Sequence, residues 1–298
     1  ASRSSRPWAA PCWAWRWATN WPWRIRLALR AWRRRRSPPR AIAHAGGLAR
    51  WREFKTIHAR IVSGGNLWAL KGLKQDPMPR NMTVWLNEQR ASISPFGAAD
   101  QFTDYRPGRI AIVKHPDTVL LERMDPAESF SSHVEQTPWD PLHRAYFNGY
   151  ALWCYLTMPF HFALPGLKFK LLAPWHESGE VWHQLRVFYP ETIATHCCEQ
   201  DFYFGQDYLL RRHDYQVEVN AGMPATQYVG DYIEVSGFRL PSKRRAFRRR
   251  SMPARARSAS SPPSAPSVWP WACRLACCRC CWPRCWPPRR RCAAGAAD

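Results

Sequence analysis

Every acidic residue except Asp298 lies between Glu53 and Glu234, and all seven lysines lie between Lys55 and Lys243. That distribution limits where a core can form. Residues 1–40 carry eleven Arg and no acid, and residues 248–298 carry eleven Arg with only Asp298 against them. Segments with so one-sided a charge repel themselves and stay solvated instead of collapsing. Of the formal charge of +22, residues 41–247 hold about +1. A basic balance that would point to nucleic acid or an anionic membrane therefore belongs to the two ends and not to the middle.

The ends are also compositionally narrow. From 248 onward, 47 of 51 residues are Arg, Ala, Pro, Cys, Ser, Trp or Gly, and the same set supplies 35 of the first 40. These residues have GC-rich codons, so both ends, 1–40 and 248–298, read as disordered and as out-of-frame translation of GC-rich DNA. The reading accounts for Cys273, Cys277, Cys278, Cys280, Cys281, Cys285 and Cys292 without a metal site: adjacent cysteine pairs do not make the spaced ligands of a zinc tetrahedron, and no His follows His213. An odd number of cysteines does not make a closed disulfide framework either. Arg274, Arg279 and Arg284 interrupt any membrane span. At the other end, WPWRIRLALRAWRRRR is basic and amphipathic but lacks the unbroken apolar stretch of a signal peptide. Location stays open on this ground and leans to the cytoplasm.

Residues 41–247 have globular composition and enough length to bury a core. A short helix is expected near 47–55. Residues 57–63 and 66–71 flank Gly64-Gly65 and read as a hairpin. MTVWLN with RASISPF and RIAIVK with TVLLERM read as further hairpins, the second turning at His115-Pro116-Asp117. The strongest helix signal is WDPLHRAYFNGYALWCYLTMPF: Asp140 suits the N-cap, Pro141 the first helical position, and the helix should run to about Thr157. Leu142, Ala145, Tyr146, Gly149, Leu152, Trp153 and Leu156 form its apolar stripe. A meander follows over 168–173, 180–189, 200–204, 208–219, 225–235 and 238–246. So many short strands cannot stay flat. The expectation is an α+β fold: a curved antiparallel β-sheet, as half-barrel or open barrel, covered by one or two helices.

AHAGGLARWREFKTI, WDPLHRAYFNGYALW, THCCEQDFYF and LLRRHDYQVEVNAGMPATQYVGDYIEVSGFRLPSKRRAF are similar to a group of uncharacterised bacterial proteins. More distantly, over about 45–247, the pattern resembles the lipoprotein-carrier superfamily. The resemblance implies an unclosed antiparallel barrel with helices on its concave side and an apolar cavity for acyl chains. It also implies a further strand after Phe247.

Candidate ligand-binding residues are Trp68, Trp85, His143, Tyr146, Tyr150, Trp153, His196 and Arg211; the aromatics among them, like Phe202 and Phe204, serve equally well as core. THCCEQ and RRHDY offer an alternative, an enzyme using His196, Glu199 and His213, although along a strand His196 and Cys198 would face one side and Cys197 and Glu199 the other. No phosphate-binding loop, dinucleotide fingerprint, nucleophile elbow or metalloprotease helix occurs, and no cofactor or metal is expected. The favoured function is binding or carriage of an apolar, lipid-like ligand. A nucleic-acid-associated protein acting through its tails is the remaining alternative, and oligomeric state is left open.

Overall fold

The computed structural model describes residues 38–76, 78–249 and the pair 268–269. The expectations for the two ends otherwise lie outside the described residues. Helix α1 (Pro38–His44) starts within the segment read as tail, and α2 (Leu48–Trp51) follows it. Gly46 separates them with φ of 125°. A Cβ there would stand 2.5 Å from the carbonyl oxygen of Gly237, so the close approach requires glycine as much as the turn does.

The first sheet takes its strands in chain order: β1 (Thr56–Ile61), β2 (Arg80–Trp85), β3 (Arg90–Ser94), β4 (Gln101–Arg106), β5 (Arg109–Lys114) and β6 (Thr118–Met124), all antiparallel. Two details correct the sequence expectation. Residues 66–71 are not a strand paired with β1; α3 (Leu67–Leu70) lies there, and β1 pairs with β2, Ile61 opposite Arg80. Leu67 and Trp68 are both buried, and neighbours on a strand point to opposite faces, whereas a helical turn lets both enter one core. Strand β4 is an addition to the expected set. Only Thr103 and Tyr105 turn inward from it, while Asp104 on its other side pairs with Arg90 at 3.1 Å and Arg109 at 2.8 Å.

Helix α4 (Pro141–Thr157) begins where expected. Asp140 accepts a hydrogen bond from the His143 backbone at 2.8 Å, and His143 Nδ1 accepts one from the Asp140 backbone at 3.1 Å, a reciprocal cap. Arg123 of β6 donates to the same carboxylate at 2.6 Å. The helix is not amphipathic, as the apolar stripe implied. Every residue from Leu142 to Thr157 is buried, so α4 is enclosed on all sides.

The second sheet has the order β14 (Val268–Trp269), β13 (Phe238–Arg248), β12 (Met223–Val235), β11 (Leu210–Val217), β10 (Glu199–Phe204), β9 (Glu180–Phe188) and β7 (Lys168–Leu171), with β8 (Trp175–Glu177) also paired to β9. Its registers are antiparallel throughout, and Val268 and Trp269 pair with Phe247 and Ala246. The two sheets do not close on each other among the described residues. The result is an α+β, open-barrel-like fold with α4 between the sheets. No helix of the described residues is long and apolar enough to cross a membrane.

Alternation along β11 sends His213 inward and its neighbours Arg212 and Asp214 to the outer face. There the β8–β9 hairpin folds back to cover them. Arg212 donates to Asp214 at 2.8 and 2.7 Å and to Glu177 of β8 at 2.7 Å. Its guanidinium also lies over the rings of Trp175 at 5.0 Å, Tyr203 at 5.0 Å and Tyr228 at 5.7 Å. A buried cation is tolerated here because carboxylates and aromatic faces surround it.

Candidate ligand-binding site

The two sides of α4 meet their sheets differently. Its backbone runs closest to β3, β4 and β5. Gly149 faces the Tyr105 ring of β4, and a Cβ at 149 would be 2.3 Å from that ring. Trp153 also turns to this side, its indole N–H donating to the carbonyls of Trp85 at 2.8 Å and Glu88 at 3.1 Å. This half of the interior is close-packed.

Toward the second sheet the interior is layered with hydrogen-bonding side chains. His196 stands between two tyrosines of α4, with Tyr155 Oη 2.7 Å from its Nε2 and Tyr150 Oη 3.3 Å from its Nδ1. Its ring stacks on Tyr215 of β11 at 4.1 Å, and Tyr155 Oη reaches Tyr215 Oη at 3.1 Å. His213 stacks on Phe202 at 4.1 Å and its Nε2 is 2.6 Å from Gln200 Oε1. At the C-terminal end of α4, Thr157 donates its one hydroxyl hydrogen to the Trp153 carbonyl at 2.8 Å. His161 Nδ1, 3.1 Å away, therefore donates to Thr157, and its Nε2 accepts from Tyr189 at 2.9 Å. Arg244 of β13 is buried as well, donating to Gln227 Oε1 at 3.0 Å and to the Tyr155 carbonyl at 2.8 Å.

Burial holds the histidines of this layer and the nearby cysteines uncharged, while Arg244 keeps its charge. The same burial pulls the imidazoles of His161 and His196 down to about 3 and that of His213 well below its ordinary value. Burial pushes the thiols of Cys154 and Cys197 up to about 12. Neutral imidazoles and protonated thiols can donate and accept hydrogen bonds but make poor bases and nucleophiles near neutral pH.

Between this layer and α3 lies a cavity of about 20 Å³ whose walls include Leu67, Phe147, Tyr155, Tyr215, Asn220 and Gln227. That volume suits about one water molecule. Asn220 and Gln227 are both buried, and among the described residues Asn220 Oδ1 and Gln227 Nε2 have no hydrogen-bond partner within normal range. An acceptor and a donor thus line an otherwise apolar space.

The residues singled out in the sequence divide between locations. Phe147 links Trp68, Tyr150 and His196, with ring distances of 6.0, 5.6 and 5.8 Å, and Tyr146 joins through Tyr150 at 5.4 Å. Trp85 and Trp153 meet on the first-sheet side. His143 belongs to the helix cap, its ring 4.8 Å from that of His133. Arg211 pairs with Asp207 at 2.9 Å, away from this group. Of the enzymatic alternative, His196 and His213 converge on Tyr215; Glu199 instead turns outward to Arg186 at 2.6 Å. The expected alternation through THCCEQ does not hold, because β10 starts only at Glu199 and both His196 and Cys197 are buried. No cluster of three His, Cys, Asp or Glu side chains fit to hold a metal occurs among the described residues. The residues not anticipated, Tyr155, Tyr215, Asn220, Gln227 and Arg244, had a partial signal: His213, Tyr215 and Val217 share the period-two inner face of β11.

No family model matches the chain, and no curated protein matches it. Among solved structures it is similar to a DUF1329 family protein from Desulfovibrio piger, at 12% identity and TM-score 0.41 over 72% of this chain and 87% of that one. It is similar to a LolA superfamily protein from Nitrosomonas europaea, at 10% identity and TM-score 0.38 over 72% and 94%. An outer membrane lipoprotein-sorting protein domain from Vibrio parahaemolyticus gives 7% identity and TM-score 0.39 over 69% and 86%.

Proposed function

We propose that this protein binds or carries an elongated apolar ligand of the acyl-chain kind in the layer between α4 and the second sheet. The observation that carries the reading is the cavity beside Phe147 and Tyr215, apolar except for the unpartnered amide atoms of Asn220 and Gln227. An apolar space with a few placed polar groups is the usual composition of a small-molecule site. At about 20 Å³ the space is closed to a chain of carbons, so entry requires Phe147, Tyr155 or Phe247 to swing aside. The polar layer favours that movement on the second-sheet side, because its hydrogen bonds can be remade with water or ligand. Separation on the first-sheet side would give up close apolar packing, for which water offers no substitute. Trp68, Tyr146, Tyr150 and His196 then line or support the ligand, and Asn220 and Gln227 meet its polar end.

The test is titration of the full chain with a fluorescent fatty acid, together with native mass spectrometry of the purified protein. Saturable binding is expected. Ala225→Leu, which adds side-chain volume to the cavity wall, should weaken it about tenfold or more while circular dichroism stays unchanged. Absence of both a co-purifying lipid and saturable fluorescence would sink the proposal.

A further inference from the structure

Strand β6 is the outer strand of the first sheet, with no strand beyond it among the described residues. An open edge normally carries charge or proline to discourage pairing. Here Val119 is 47%, Leu120 42%, Leu121 48% and Met124 63% exposed. Consecutive strand residues point to opposite faces, so apolar surface is offered on both faces and along the edge.

The order of residues says what fits it. Set antiparallel to a second copy of itself about Leu120, the run Asp117-Thr118-Val119-Leu120-Leu121-Glu122-Arg123 is self-complementary. Asp117 stands opposite Arg123 of the second copy, Thr118 opposite Glu122, Val119 opposite Leu121, and Leu120 opposite its own equivalent. Each off-axis pairing then occurs twice and the Leu120 pair once on the axis, as a two-fold contact demands. Asp117 is exposed and has no ion pair among the described residues. Among the described residues Arg123 spends Nη2 on Asp140 at 2.6 Å, while Nη1 makes only long bonds of 3.4 and 3.5 Å to Asp140 and Ser129. One side of its guanidinium is therefore available to a second acid.

We propose that β6 is the contact surface of a symmetric dimer of this chain. The strand has a bulge: Ile112 pairs with Leu121 and Val113 with Val119, so Leu120 is left over against β5. A bulge interrupts the outward row of N–H and C=O groups. Side chains therefore hold the dimer more than a continuous backbone ladder does. A contact the width of one strand is small, so the dimer is weak and concentration-dependent.

Sedimentation velocity of the full chain over a roughly hundredfold concentration range tests this. A reversible monomer–dimer equilibrium is expected. Leu120→Lys places two cations at the axis and Asp117→Lys sets like charges opposite Arg123; each should weaken association at least about tenfold with unchanged circular dichroism. Asp117 makes no ion pair among the described residues, so its variant keeps the test open if Leu120→Lys misfolds. A chain that stays monomeric throughout, or a dimer indifferent to both substitutions, overturns the proposal.

Discussion

Gly149 of α4 and Tyr105 of β4 are in contact so close that a Cβ at position 149 would lie 2.3 Å from the tyrosine ring. Gly149→Ala must therefore push the helix off the sheet. Overpacking of this kind costs about 1–3 kcal/mol even after the gain in helix propensity. Urea denaturation should show the loss. The partner substitution runs the other way: Tyr105 Oη is buried and without a hydrogen-bond partner among the described residues, so Tyr105→Phe should stabilise by about 1 kcal/mol.

The buried imidazoles make stability depend on acidity. His161 and His196 titrate near 3 in the folded chain against 6.5 when free, and His213 is lowered too. Between those values the unfolded chain binds more protons, so stability rises with pH in that window. It is fully present above about 6.5 and is lost as pH falls toward 3. The slope is at most about 1.4 kcal/mol per pH unit for each histidine. His213→Gln should flatten the curve of unfolding free energy between pH 6 and 4; an unchanged slope would remove His213 from the cause.

Asp140 serves the helix cap and Arg123 together. Replacement by Ala should cost about 1–2 kcal/mol, most of it from the cap, because the ion pair is partly exposed and screened. Asp140→Asn preserves the cap oxygen and should lose less. Thermal unfolding of the two variants side by side checks the order.

Arg212 on the outer face is held by Asp214 and Glu177. Arg212→Met strands those carboxylates under the hairpin and should cost about 3–5 kcal/mol. If chemical denaturation shows less than about 1 kcal/mol, the cluster is wetter than its burial implies.

Legibility from sequence followed how local the determinants were. Asp140-Pro141 marks a helix start through its own backbone chemistry, and most of the later strands announced themselves by alternation and turn residues. Leu67-Trp68 did not, since only the core that receives both side chains separates a helical turn from a strand there. Strand β4 was silent because just Thr103 and Tyr105 face inward. At the candidate site, Tyr150 and His196 stood out as residue types. The Tyr155–His196–Tyr215 arrangement did not, because it depends on α4 crossing β11, a relation between positions 60 residues apart.

The unequal seating of α4 sets an order of opening. Amide protons of β3, β4, β5 and α4, joined by the Gly149–Tyr105 contact, should form the slowest-exchanging unit in deuterium labelling. Those of β11, β12 and β13 should exchange sooner and as a separate group. The protein would then come apart along the line of its tyrosines and histidines, with the helix leaving in company of the first sheet.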